Sequence, residues 1–303
     1  MTLEKWVKKW LVTYKKIMVK PSTYDSYLTY ATHVDCEVEL ADLRQEDVQV
    51  LINNMVEDGL KLSTVKHMLT IVRQSLKKAK KLGYVSSLAM LEELELPPDD
   101  AAEVKPFRAD QVERIMCSDG SFYCDVYKAL MLTGLRVGEL IALRWCDVDW
   151  FTREIHIRNT DYRGELQRVK TKHGRRSLPL YGELLRIFRR RYKARCSDRV
   201  FTNTLGLPIK YRTLLDNWRW FSAQIGVYGS YGFHVFRHTF AHMSLRRGVP
   251  VKVVSAWLGH ADVTITLRIY DSVDSEDFRN AAELLEGILS VRAQKNNALS
   301  GVV

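Results

Sequence analysis

The stretch Phe233–Tyr270, FHVFRHTFAHMSLRRGVPVKVVSAWLGHADVTITLRIY, sets His234, Arg237 and His260 ahead of a tyrosine that stands ten residues after the last histidine. Groups able to hold a phosphate therefore precede a potential nucleophile. A free phenol is a weak one: with a pKa of about 10, about one part in a thousand is phenolate at neutral pH, roughly 4 kcal/mol uphill. Cations gathered around one phosphate offset that cost, because they stabilise both the phenolate and the negative charge that grows on the phosphorane oxygens. The chemistry calls for a second arginine, and TGLRVGEL supplies Arg136. A guanidinium suits the task, since its planar fork bonds two phosphate oxygens at once.

The ordered set Arg136, then His234-x-x-Arg237, then Leu258-Gly259-His260, then Tyr270 resembles the tyrosine recombinase (phage integrase) family, as do the flanking RHTFA and LGHADVTITLRIY. The resemblance covers nearly the whole chain. It implies a mainly α fold with a small antiparallel β-sheet, the two-domain DNA-breaking-rejoining enzyme fold of a helical core-binding domain plus a catalytic domain. It also implies the catalytic set Arg136, Lys170, His234, Arg237, His260 and Tyr270, with no cofactor and no metal. In VKTKHGRRSLPL, Lys170 fits the family's K-T-x-x-x-R pattern, and Lys172, expected on the same face of a strand, is the alternative. The lysine would protonate the departing 5′ oxygen, His234 would accept the tyrosine proton, and His260 would hydrogen-bond a non-bridging oxygen. The implied partners are double-stranded DNA with inverted-repeat core sites, further copies of the chain in a homotetramer, and an accessory directionality factor. The ten-residue step to Tyr270 resembles integrases of phages and conjugative elements. Xer-like dimer resolution and a type IB topoisomerase are the alternatives.

Composition agrees with an anionic partner. The 303 residues carry a formal charge of +10, unevenly spread: residues 1–103 hold 14 Lys and Arg against 16 Asp and Glu, leaving 32 against 20 beyond. The opening MTLEKWVKKWLVTYKK lacks the apolar core of a signal peptide, and no run of 18 apolar residues occurs, so cytoplasmic residence is expected. Cys36, Cys117, Cys124, Cys146 and Cys196 are scattered and odd in number, which argues for reduced, mostly buried thiols rather than a disulfide framework or zinc site. His238 and His242 lie four apart, but Thr239 stands where a zinc-protease helix needs glutamate.

Apolar spacing predicts helices over 3–17, from Pro21 with Ser22 and Asp25 as a capping box, within 44–58, and from Ser63 to Leu82. The run EELELPPDDAAEVKP breaks the pattern at Pro97 and Pro98. The expected organisation is a core-binding domain over 1–96, a linker over 97–106, a catalytic domain over 107–292 that ends in an amphipathic exchange helix (Asp274–Arg292), and a tail over 293–303. Helices are expected at 109–118, 121–133, 182–193, 211–225 and 235–247, with strands over Cys146–Trp150, Glu154–Arg158 and on both sides of His173-Gly174.

Overall fold

Trp6 and Trp10, one helical turn apart, anchor the core of the first of two compact units, Met1–Glu103 and Val104–Val303, in a computed structural model. The structure describes residues 1–98, 104–169, 172–229 and 232–267. Helix α1 (Leu3–Trp10) is capped by the Thr2 hydroxyl and buries Leu3, Trp6, Val7 and Trp10. The regular helix expected to residue 17 stops there, and Leu11–Lys15 winds as a π-helix. Apolar spacing over two turns does not separate the two windings. Helix α2 (Pro21–Ala31) begins at Pro21 as expected, but its N-cap is Lys20 in place of the expected Ser22: Pro21, which has no N–H to lose, takes the first helical position. Helices α3 (Gln45–Glu57) and α4 (Leu62–Lys81) complete this core, α4 burying Val65, Leu69, Val72 and Leu76. Its opposite face carries exposed Lys66, Thr70, Arg73, Lys77, Lys80 and Lys81, a basic stripe at helical spacing.

The second unit is built on α5 (Ala109–Cys117), α6 (Cys124–Thr133), a short α7 (Val137–Ile141), five strands, and then α8 (Gly182–Lys193), α9 (Tyr211–Gln224), α10 (His234–Arg246), α11 (Val251–Leu258) and α12 (Thr264–Leu267). Its core is aromatic. Trp218 and Phe236 meet edge to face at 4.8 Å between ring centres, with Phe107, Tyr127 and Phe221 around them.

Strands β1 (Val148–Asp149), β2 (Glu154–Ile157) and β5 (Arg176–Pro179) form one antiparallel sheet in the order β1-β2-β5, with Ile155 paired to both Val148 and Leu178. A separate hairpin joins β3 (Asn159–Tyr162) to β4 (Glu165–Arg168) through Arg163-Gly164, both at positive φ as a two-residue hairpin turn requires. The segments on either side of His173-Gly174 therefore do not pair with each other. Lys172 opens a 3₁₀ turn (Lys172–Gly174) instead of lying on a strand, and Lys170 lies outside the described residues. Of the strand expected over Cys146–Trp150 only Val148–Asp149 forms, preceded by a 3₁₀ turn at Trp145–Asp147.

All five cysteines are free. Only Cys36 and Cys124 are buried, so the expectation of mostly buried thiols does not hold. Among the described residues no helix is long and apolar enough to cross a membrane.

Candidate active site

Two helix ends create the site. Helix α6 stops at Gly134 and α11 at Gly259, each glycine left-handed (φ +62° and +69°). A side chain at Gly134 would stand 2.4 Å from a Phe240 ring carbon, and one at Gly259 would stand 2.9 Å from the His173 carbonyl, so both turns need glycine for space as well as for conformation. Ending a helix leaves its last carbonyls without partners inside the helix. Arg237 on α10 satisfies one from each: Nη1 donates to Gly134 O at 3.0 Å and Nη2 to Leu258 O at 2.6 Å. One buried guanidinium, 5% exposed, thus joins the loop leading to Arg136 to the loop leading to His260. Burial and the neighbouring Arg136 lower its pKa to about 9, which still leaves it charged at neutral pH.

Arg136 is the N-cap of α7. Its backbone N–H donates to Glu139 Oε2 at 3.0 Å and its Nη1 to Oε1 at 3.2 Å. The side chain nevertheless stays 46% exposed. Pairing with Glu139 therefore steadies this guanidinium without enclosing it. Glu139 is buried and also takes Arg176 in a two-point bond, Nη2 to Oε2 at 2.8 Å and Nη1 to Oε1 at 3.2 Å. Burial raises the Glu139 pKa, but the Arg176 hydrogen bonds and the charges of Arg176 and Arg136 outweigh it and hold the carboxyl below its usual range. Arg176 further donates Nε to Trp257 O at 2.5 Å, which ties β5 to the end of α11.

His234 opens α10, and His260 follows Gly259 with its Nδ1 2.8 Å from the buried Thr266 hydroxyl. A hydroxyl that donates to Nδ1 leaves the ring proton on Nε2, where it is available to an acceptor. Burial and then Arg237 and Arg136 lower both imidazoles, His260 to about 4, so both are neutral at pH 7.

This depression has a measurable consequence. Between pH ~6.5 and ~4 the unfolded chain takes up a proton at residue 260 that the folded chain refuses. Stability should therefore fall with pH across that window, and His260→Asn should flatten the fall in urea unfolding followed at several pH values. Identical slopes for the two proteins would count against the assignment.

The structure thus links Arg136, Arg237, His234 and His260 through shared carbonyls and mutual charge. Tyr270 and Lys170 fall outside the described residues. Two contributors escaped the sequence reading. Glu139, inside TGLRVGEL, serves two arginines, Arg136 and Arg176. Arg176 was overlooked in favour of the lysines, although it shares the inward face of its strand with Leu178, where a charge must find a partner.

Among the described residues no cluster of His, Cys, Asp or Glu is arranged to hold a metal ion. The model of the phage integrase family matches residues 105–277. A tyrosine recombinase XerC-like protein of Caldanaerobacter subterraneus subsp. tengcongensis is 26% identical, over 95% of this chain and 83% of its own length. The fold is similar to that of the Tn1549 transposon integrase in complex with transposon right end DNA, with a TM-score of 0.78, 20% identity, and coverage of 94% of this chain and 100% of that one. A lambda integrase tetramer bound to a Holliday junction gives a TM-score of 0.71 at 15% identity, over 90% of this chain and 80% of that one. With residues 105–277 matched to the family and the arginine and histidine positions gathered at one place, the chain belongs to the phage integrase family and is an enzyme of the tyrosine recombinase type.

Proposed function

We propose that Arg136, Arg237 and His260 hold one DNA phosphate, that Tyr270 attacks it, and that His234 and Lys170 move the protons. The observation that carries this reading is the Arg237 fork between Gly134 O and Leu258 O, which makes the Arg136 and His260 loops neighbours. The attack would give a 3′-phosphotyrosyl link and a free 5′-hydroxyl. The 5′-hydroxyl of a partner strand would then displace the tyrosine, passing through a Holliday junction. The bond energy stays in the covalent link, so neither nucleotide nor metal is required. Residues 1–96 would grip one side of the duplex through the basic stripe of α4, residues 97–106 would link, and residues 107–292 would supply the chemistry and subunit contacts of a homotetramer on inverted-repeat core sites. The likeness to the Tn1549 transposon integrase supports service to a mobile element, with an accessory directionality factor as a further partner.

The test is a nicked duplex carrying the element's end sequence, on which cleavage releases a short strand and strands the protein. A covalent adduct sensitive to protease, together with joining of two such sites, is the expected result. Failure to form any adduct on the correct site would sink the proposal. Relaxation of supercoiled plasmid without a partner site would point to the topoisomerase alternative. Binding should also weaken steeply with salt, the logarithm of affinity falling by roughly 0.9 for each phosphate contact per tenfold rise in salt.

A further inference from the structure

Asp161 and Arg199 belong to none of the catalytic positions, yet they form a buried ion pair, their side chains 3% and 7% exposed, with Nη1 2.7 Å from Oδ2. The same Nη1 donates to Ile141 O at 3.0 Å and Nη2 donates to Gly164 O at 3.3 Å. Asp161 Oδ1 in turn accepts from Gly164 N at 2.8 Å. One guanidinium therefore ties together strand β3, the tip of the β3–β4 hairpin and the last residue of α7. The helix and the strand also touch directly: a Cβ added at Gly138 would stand 2.7 Å from Thr160 Oγ1 and 3.1 Å from Asp161 O. Beyond β4, Val169 N still donates to Arg158 O at 3.2 Å, and Lys170 is the next residue in the chain.

A buried ion pair is a poor source of stability, because apolar residues of similar volume usually do as well or better. What it supplies is one fixed arrangement of the elements it joins. We propose that Asp161 and Arg199 are positioning residues for the general-acid step, clamping the hairpin that runs into Lys170 against the helix that starts at Arg136. The proposal rests on the reading of Lys170 as the acid. In that step Tyr270 Oη bonds to phosphorus and the P–O5′ bond breaks. The departing oxygen takes a proton from the lysine ammonium, and the phenol proton passes to His234. Helix α7 keeps its second anchor, Glu139 to Arg176, when the clamp is loosened, so the hairpin is the element that the loss releases.

A substrate with sulfur in place of the 5′-bridging oxygen separates the roles. Its P–S bond breaks to release a thiolate, which leaves without a proton because thiols ionise at far lower pH than alcohols. Asp161→Asn and Gly138→Ala, made in the full chain, should slow formation of the covalent adduct about tenfold to a hundredfold on the ordinary duplex. On the sulfur-bridged duplex the same variants should stay within about threefold of wild type. Equal slowing on both substrates, or none on the ordinary one, overturns the clamp. Gly138→Ala leaves no buried charge unpaired, so it carries the test if Asp161→Asn does not fold. Lys170→Ala is the separate check on the underlying reading. Rescue of that variant by sulfur keeps the lysine as the acid, whereas slow cleavage of both substrates removes it.

Discussion

Tyr270→Phe should abolish the covalent adduct, a loss of more than about 10⁴-fold, while leaving DNA binding within about twofold of wild type. The substitution removes one oxygen. Until it attacks, that oxygen contributes little to affinity, which comes from phosphate contacts elsewhere. Thirteen other tyrosines remain, and the structure gives reasons why described ones should not replace it. Tyr127 is enclosed in the aromatic core, bonded to Asn217 at 2.8 Å, and burial pushes its pKa up, the wrong direction for a nucleophile. Tyr211 is the informative control. It is half exposed and packs on Phe233, next to His234, with ring centres 5.6 Å apart. Tyr211→Phe should cleave like wild type. An adduct that survives in Tyr270→Phe but disappears in Tyr211→Phe would transfer the nucleophile's role and overturn the reading.

The positions proposed for the site were legible because phosphate chemistry demands particular side chains, and those side chains stand in a row that chain order preserves. Arg136, His234, Arg237 and His260 could thus be named before any fold was known. The helices were legible for a different reason: Leu3, Trp6 and Trp10, or Val65, Leu69, Val72 and Leu76, repeat at the helical period because each set lines one core. The strand pairing was less accessible. Each short run alternates correctly, but alternation says which face is buried and not which strand lies alongside. Arg163-Gly164 carried the missing information, since a turn with positive φ at both residues closes β3 on β4 and leaves β5 to pair with β2. A non-glycine residue at the first of those positions conceals the signal.

Glu139 and Arg176 were hidden for a related reason. Read along the chain, they are 37 residues apart, and neither lies in a pattern that asks for the other. Only the fold shows that the carboxylate beneath Arg136 is shared. That sharing explains how two cations, Arg136 and Arg237, stay close without expelling each other, since a buried negative charge lies within the group. The positive field at the proposed phosphate site would then be set by this balance and not by the number of arginines alone.

Arg237→Lys is expected to cost activity and stability together, and the comparison with Arg136→Lys gives the two effects separate readouts. At residue 237 the fork serves two carbonyls on different helices, Gly134 O and Leu258 O. One ammonium on a flexible stem does not reproduce that planar spread. A buried carbonyl is then left unsatisfied, at a cost of about 1–3 kcal/mol, and the midpoint of thermal unfolding should fall. The phosphate loses an oriented donor at the same time, a loss of about 10²–10³ in the cleavage rate. At residue 136 the side chain is half exposed and its partner Glu139 keeps Arg176. Arg136→Lys should therefore lose a similar factor in rate with little change in the unfolding midpoint. Single-turnover adduct formation and thermal unfolding on both variants decide the matter. A stable Arg237→Lys that cleaves within about tenfold of wild type would show that the fork only holds two loops together, and the phosphate clamp would have to be built without it.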